Sequence, residues 1–411
     1  MESHRFQKHA AVETHPFWRQ LIAREGKLND RLDDIRSPFA RDYTRILHSK
    51  AYRRLKHKTQ VFFNIENDHI CTRMEHVGHV ESVSGTISKY LGLNEELTQA
   101  IAAGHDLGHA PFGHQGETVL KELAKKHLGQ DFWHEKNSLR FVDDIELLED
   151  EYRKQKNLSL TYAVRDGIIS HCGEVDENGL IPRGEIMPLR EFDQPGKYQP
   201  VTWEGCVVKI ADKIAYIGRD IEDAIHLNFL LETQRSKLLK MAQENDERVM
   251  NTTVIMYNMI TDICKTSTPE HGICLSPKMQ RQMNDLKKFN YEFIYRHERQ
   301  KPFHKYCELV ITQIFDLLLG CYDGRHSWEA LAEKRQFYKN TIQYFERWLA
   351  RYCQADIVPD GDLRELADRC ENRKIYGDLS AKQPYVQAIL DYISSMTDRF
   401  AIELFNEMIT Y

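Results

Sequence analysis

The sequence predicts an all-α protein. Glycine and proline are sparse, 21 and 12 among 411 residues. Apolar residues recur at spacings of three and four over long stretches, and strand-like runs do not alternate with helical ones in the βαβ manner. A hydrophobic share of 41% and a charged share of 29% fit a chain that buries a sizeable core. The net charge of -6 excludes a protein that coats nucleic acid through its overall charge. Any anionic substrate must meet a local positive field or a metal. The nine cysteines contain no CxxC pair and read as reduced thiols. No apolar run has membrane-spanning length, so a cytoplasmic protein with no membrane partner is expected.

Taken in order, residues 1–35 read as an N-terminal arm with one helix around Phe17–Arg24. A basic stretch follows from Arg36 to Phe63, mixing Arg41, Arg45, Arg53, Arg54, Lys56 and Lys58 with apolar residues. It is either a solvated amphipathic helix or a phosphate-facing surface. Thr72 to Leu91 is a helix whose apolar stripe is Val80, Val83, Ile87 and Leu91, and His76 lies on that stripe. Asn94 is an N-cap, with Glu95 and Glu96 in the first turn. Leu97, Ile101 and His105 then share one face, which brings His105 into the core at the helix end. Residues 118–165 read as helical with a turn near Gly129, and Tyr162 to His171 as a short helix. The glycine- and proline-rich segment that follows, to Pro200, is a long loop. Trp203 to Phe229 is a helix with the stripe Val207, Ile210, Ile214, Ile217 and Ile221. Asp212, Tyr216 and Asp220 form an adjacent stripe, either a cavity lining or a solvated acidic face. Beyond Leu230, helices are expected at Val249–Cys264, Leu286–His297, Tyr306–Leu319, Tyr338–Tyr352 and Tyr385–Thr410, with a loop at Thr266–Ser276. The expected organisation is an arm (1–35), a helical core (36–230) and an additional C-terminal helical region (231–411).

The chemistry concentrates in GHDLGHAPFGHQGE, Gly104 to Glu117, which holds three histidines, an aspartate and a glutamate in fourteen residues. Pro111 ends any helix and divides it. His76, His105, Asp106 and Asp212 together form a two-imidazole, two-carboxylate set suited to a divalent ion such as Mn²⁺ or Mg²⁺, with Fe, Ni or Co also fitting. His76 alone, on the buried stripe, reads as a core histidine more often than as a ligand. An adjacent His-Asp pair is common, but H…HD…D spread over helices is specific.

With those residues in view, the chain resembles the HD-domain phosphohydrolases. Within them it is similar to the deoxyguanosinetriphosphate triphosphohydrolase (dGTPase-like) branch, related to the vertebrate dNTP triphosphohydrolase that carries a sterile-alpha-motif domain. The match is carried by RDYTRILHSKAYRRLKHKTQVF (41–62), TRMEH (72–76) with HDLGHAPFGHQGE (105–117), and KIADKIAYIGRDIEDA (209–224). FIYRHE (293–298) is a weaker echo. The resemblance implies an HD-domain helical core and hydrolysis of a dNTP at the α-phosphorus to deoxynucleoside and inorganic triphosphate. It implies His76, His105, Asp106 and Asp212 as metal ligands and His114 and Glu117 as a catalytic pair. His109 and His134 are implied as further active-site histidines. Gln60, Tyr216 and Asp220 are implied near the sugar, Val61 against a ribose 2′-hydroxyl, and Arg73 and Lys213 at the phosphates. The chain departs from the family pattern at Val77-Gly78-His79, where Ser-x-Glu is common, and at Lys213, where bacterial members often carry an acid. The resemblance further implies a homo-oligomer, hexamer or tetramer, with dNTP effectors. The alternatives are an HD-type phosphodiesterase or nucleotidase, or a nucleotide- or single-strand-binding regulator, for which the basic stretch is the motive.

Overall fold

In the computed structural model, residues 4–26, 34–63, 69–172, 178–244 and 251–410 are described. Helices α1 (Trp18–Leu21), α2 (Pro38–His48), α3 (Lys50–Arg54), α4 (Arg73–Leu91), α5 (Glu95–Gly104), α6 (Gly113–Leu128) and α7 (His134–Arg140) come first. An antiparallel pair follows, β1 (Leu147–Glu149) and β2 (Gln155–Asn157), with Leu148 opposite Lys156. Then come α8 (Tyr162–Ser170), α9 (Trp203–His226), α10 (Glu232–Glu244), α11 (Thr252–Thr266), α12 (Pro277–Asn290) and α13 (Gln300–Leu319). The chain ends with α14 (Ser327–Lys334), α15 (Lys339–Tyr352), α16 (Asp362–Arg369), α17 (Lys382–Ser394) and α18 (Asp398–Ile409). The protein is all-α in class, as expected. It divides into two units of interleaved segments: residues 1–46, 60–106 and 160–301, and residues 47–59, 107–159 and 302–411.

In the first unit, α4 packs on α5 and α9, and α8 packs on both α5 and α9. Local chemistry sets these helices. The Thr72 hydroxyl accepts from Glu75 N–H while the Glu75 carboxylate accepts from Thr72 N–H, a capping box. Asn94 and Thr202 cap α5 and α9 in the same way, through Leu97 N–H and Gly205 N–H. The α9 stripe from Val207 to Ile221 is buried throughout. A Cβ on Gly104 would stand 2.6 Å from Ile168, and one on Gly167 only 2.5 Å from Ile101. Each glycine is a notch that receives an isoleucine from the opposite helix, which lets α5 and α8 approach closely.

In the second unit, the turn between Leu107 and α6 is held from several sides. Gly108 N–H donates to Ser138 Oγ at 2.9 Å, and Asn137 Nδ2 donates to the Gly108 carbonyl at 2.6 Å. The buried Lys58 ammonium donates to the carbonyls of His109 and Ser394. Asp398 accepts from Thr59 N–H at 2.9 Å and from Phe112 N–H at 2.8 Å. Phe112 is left-handed (φ 64), an uncommon conformation for a residue with a side chain.

Several sequence expectations are corrected. The helical reading of 118–165 holds through α6, with the turn at Gly129, and α7, but residues 147–157 are the β1–β2 hairpin. There Asp150 Oδ1 accepts from Tyr152 and Lys154 N–H, a side-chain turn that competes with helix. Tyr385–Thr410 is two helices, broken where Thr397 caps α18 through Phe400 N–H. The first helix is Trp18–Leu21 and stops short of Arg24, which instead pairs with Asp42. Leu286–His297 lies at the end of a helix that starts at Pro277 and passes into a π-turn, Tyr291–Tyr295. Residues 249 and 250 of the expected Val249–Cys264 helix lie outside the described residues, and α11 runs from Thr252. Helices α10, α14 and α16 were not anticipated.

Replacing Asp398 with Ala removes the acceptor for two main-chain donors. A buried donor left unpaired costs about 1–3 kcal/mol. The melting temperature of D398A is expected to drop by several degrees. D398N should lose less, since one oxygen still accepts. A D398A melt that overlays the wild type in scanning calorimetry would show that the turn does not depend on Asp398.

Candidate metal centre

His105 caps the C-terminal end of α5 and is fully buried. Its Nδ1 lies 2.7 Å from the carbonyl of Ala102. A carbonyl only accepts, so Nδ1 carries a proton and Nε2 is the ring nitrogen that faces the carboxylates. That Nε2 is 3.5 Å from Asp106 Oδ1 and 3.9 Å from Asp212 Oδ1. His76, in the first turn of α4, places Nε2 2.9 Å from Asp212 Oδ1 and 4.0 Å from Asp106 Oδ2. Donor atoms of His76, His105 and Asp212 all lie within 4.8 Å of one another. Burial would raise the Asp212 carboxyl, but the His76 hydrogen bond and the charges of His76, His105 and His171 hold it at about 2. Burial opposes a charged His76, and the Asp212 hydrogen bond with the Asp212 and Asp106 carboxylates overcomes it and raises that imidazole. An imidazole lone pair facing two carboxylates is a repulsive arrangement that a divalent cation relieves, and the two-nitrogen, two-carboxylate donor chemistry fits one. His76 is buried as a core histidine would be, and its Nε2 also faces both carboxylates. Its neighbours Glu75 and His79 turn away, Glu75 into the capping box and His79 to accept from Arg219.

Other expected residues lie in the same unit. Arg73 is buried, and its Nη1 donates to Asp106 Oδ2 at 2.9 Å. Its Nε and Nη2 are buried with no hydrogen-bond partner among the described residues. On α9, Lys213 is buried and Tyr216 half-buried. Asp220 is buried and accepts from the Tyr295 hydroxyl, so the solvated-face reading of the Asp212–Asp220 stripe is overturned. Burial first, then Asp220, push the Tyr295 hydroxyl well above its ordinary value, which keeps it a donor. Tyr295 belongs to FIYRHE and had no role from sequence. Gln60 and Val61 are half-buried, and Gln60 Oε1 is a buried acceptor without a partner among the described residues. In HCGE, His171 is buried with its ring against His105, while Gly173 and Glu174 lie outside the described residues.

The second unit gathers the remaining histidines around Glu117. His134 donates its backbone N–H to Glu117 Oε1 at 2.9 Å, and its Nδ1 lies 3.2 Å from Oε2. An ionised carboxylate only accepts, so Nδ1 carries a proton and donates it toward Glu117. His114 Nδ1 is 3.7 Å from Glu117 Oε2, one turn away on α6, and the His114 side chain is 58% exposed, the most open of the set. The His109 ring stacks on His134 at 4.0 Å between centroids. Glu117 thus pairs with His134 more closely than with His114. Burial would raise the Glu117 carboxyl, but the charge of His134 and the neighbouring His114 and His109 rings hold it well below the usual range.

Residues 73–217 match the HD domain family, and residues 273–333 match the phosphohydrolase-associated domain. A deoxyguanosinetriphosphate triphosphohydrolase-like protein of Desulfatibacillum aliphaticivorans is 34% identical over 378 residues, covering 91% of this chain and 88% of that one. The chain belongs to the deoxyguanosinetriphosphate triphosphohydrolase-like family. Relatives of the same description from Clostridium tetani (31% identical, 93% of this chain, 88% of that one) and Caldanaerobacter subterraneus (34%, 91% and 86%) agree. The HD match spans all four expected metal ligands and ends just past Tyr216. This family member is a metal-dependent phosphohydrolase. No helix among the described residues is long and apolar enough to cross a membrane.

Two outcomes follow from the geometry. In equilibrium Mn²⁺ titrations, D212N and H105A are expected to lose more affinity than the ~10–100-fold that removal of a supporting residue costs. Wild-type affinity in either variant would exclude that residue as a ligand. For Glu117, a carboxyl with a depressed folded-state pKa contributes stability above its unfolded value of about 4.3 and loses it as pH falls through the folded value. Thermal melts of wild type and E117Q should therefore differ most near neutrality and converge in acid. A gap independent of pH would mean that the histidines do not hold Glu117 ionised.

Proposed function

We propose that the protein hydrolyses deoxynucleoside triphosphates at the α-phosphorus, releasing deoxynucleoside and inorganic triphosphate. The observation that carries the reading is the convergence of His76, His105, Asp106 and Asp212 beside Arg73, whose Nε and Nη2 are buried without partners among the described residues. A divalent ion held by the four ligands, Mn²⁺ or Mg²⁺ in this reading, supplies charge neutralisation at phosphorus and an acidified water. Buried guanidinium donors suit phosphate oxygens, because few other groups offer fixed, charged hydrogen bonds. Arg73 and Lys213 bind the triphosphate. Gln60 offers its unpartnered oxygen to the 3′-hydroxyl, and Asp220, kept an acceptor by Tyr295, takes a sugar hydroxyl beside Tyr216. Val61 stands against a 2′-hydroxyl and so disfavours ribonucleotides. Water attacks the α-phosphorus, the bond to the sugar 5′-oxygen breaks, and that oxygen takes a proton. His134, oriented by ionised Glu117, and the exposed His114 are the proton carriers, with His109 supporting His134 by stacking.

Three of the six basic residues behind the single-strand-binding alternative are engaged within the protein. Arg54 is tied to Glu146, Lys58 to two carbonyls and Arg41 to Asp34, which breaks up the basic strip. A phosphodiesterase or nucleotidase reading does not use the Gln60 and Asp220 groups. Oligomerisation and activation by a second dNTP belong to the proposal through the family.

The test is a panel of the four dNTPs, singly and in pairs, with Mn²⁺ or Mg²⁺, with products resolved by anion-exchange chromatography. Inorganic triphosphate in equal amount to deoxynucleoside is expected. Orthophosphate or pyrophosphate as the first product would overturn the reaction. Rates that rise only in mixtures would mark dNTP activation, and light scattering should report more than one chain per particle.

A further inference from the structure

We infer that His171 is a fifth side chain of the metal centre and tilts its preference toward nitrogen-binding ions. The inference rests on the four-residue centre described above. His171 caps the C-terminal end of α8 as His105 caps α5, and both are buried. Each donates Nδ1–H to the carbonyl three residues earlier, His171 to Ile168 at 2.6 Å and His105 to Ala102 at 2.7 Å. The same tautomer follows, with the lone pair on Nε2. The two rings meet edge to face, 4.9 Å between centroids. Ligand atoms of His105, Asp106 and His171 lie within 4.8 Å of one another, so His171 shares two residues with the primary cluster. The reciprocal notches at Gly104 and Gly167, immediately before His105 and four residues before His171, allow the helix ends that close approach. A histidine that only packs does not need a glycine-built crossing to bring it against a His-Asp pair.

A third imidazole changes the donor chemistry from two nitrogens and two carboxylates to three and two. Imidazole suits Fe²⁺ and Ni²⁺, with affinity rising from Mn²⁺ through Fe²⁺ and Co²⁺ to Ni²⁺, whereas Mg²⁺ prefers oxygen. His171 therefore acts as a selectivity residue for the ion.

The test uses the full chain, stripped of metal and titrated with Mn²⁺ and separately with Mg²⁺ by calorimetry. Three proteins are compared: wild type, H171A and H171N. Asparagine retains a donor for the Ile168 carbonyl and lacks Nε2, so it separates capping from metal binding. Both variants are expected to lose more Mn²⁺ affinity than the ~10–100-fold that removal of a supporting residue costs, with Mg²⁺ affinity changed less. The visible absorption of the Co²⁺-loaded protein should shift in both. If H171A fails to fold, H171N alone decides. Wild-type Mn²⁺ affinity and an unchanged Co²⁺ spectrum in H171N would overturn the inference and leave the four-ligand centre intact. A wild-type protein that takes up no Mn²⁺ would overturn both.

Discussion

Carboxylate oxygens and imidazole lone pairs, unlike apolar side chains, do not cluster in a protein interior for their own sake. Each is solvated well by water, and together they repel unless a proton or a cation lies among them. In this chain Asp106, Asp212, His76 and His105 are brought together in a unit whose buried residues are mainly apolar. Much of the first unit can be understood as the scaffold that bears this cost. Two capped helices, α4 and α5, deliver the histidines at fixed heights, and α9 delivers Asp212 from a stripe anchored by five buried branched residues. Arg73 partly offsets the carboxylate charge through Asp106, and the Asp212–His76 bond offsets more of it.

The second unit solves a different problem with similar means. Glu117 must stay ionised in a half-buried place, and a ring of histidines supplies the compensating charge and donors. The turn that leads there is pinned by Lys58, Asp398, Ser138 and Asn137, which donate to or accept from its main chain. Gly108 and Gly116 leave no room for a side chain, with backbone atoms 2.1 Å and 1.8 Å from where a Cβ would stand. The position of His109 and His114 is thus set by main-chain bonds and by steric exclusion, not by the packing of the histidines themselves.

What could be read from the sequence was what local chemistry decides. Thr72, Asn94 and the α9 stripe announced their helices, and the H…HD…D spacing announced the cluster. The β1–β2 hairpin was hidden because its residues are good helix formers, and only the Asp150 turn and strand pairing override them. The break before α18 was signalled by Thr397-Asp398, a capping pair overlooked inside a long apolar pattern. The pairing of Glu117 with His134 joins residues seventeen apart across two helices, which no spacing rule reports. His171 carried a legible sign, a histidine at a helix end two residues before a glycine, yet its neighbour His105 is brought to it only by the crossing of α5 and α8. Tyr295 likewise meets Asp220 across 75 residues.

The proton positions of His105 and His171 are fixed by carbonyl groups of Ala102 and Ile168. Those acceptors belong to the main chain, so no side-chain replacement at 102 or 168 deletes them. A genetic screen would find the imidazoles and miss what orients them. The centre should consequently depend on the side chains at 102 and 168 only through packing, Ile168 in the Gly104 notch above all, and not through any polar group they carry. It should be vulnerable instead to changes that unwind those last turns, even where no substituted atom touches His105 or His171.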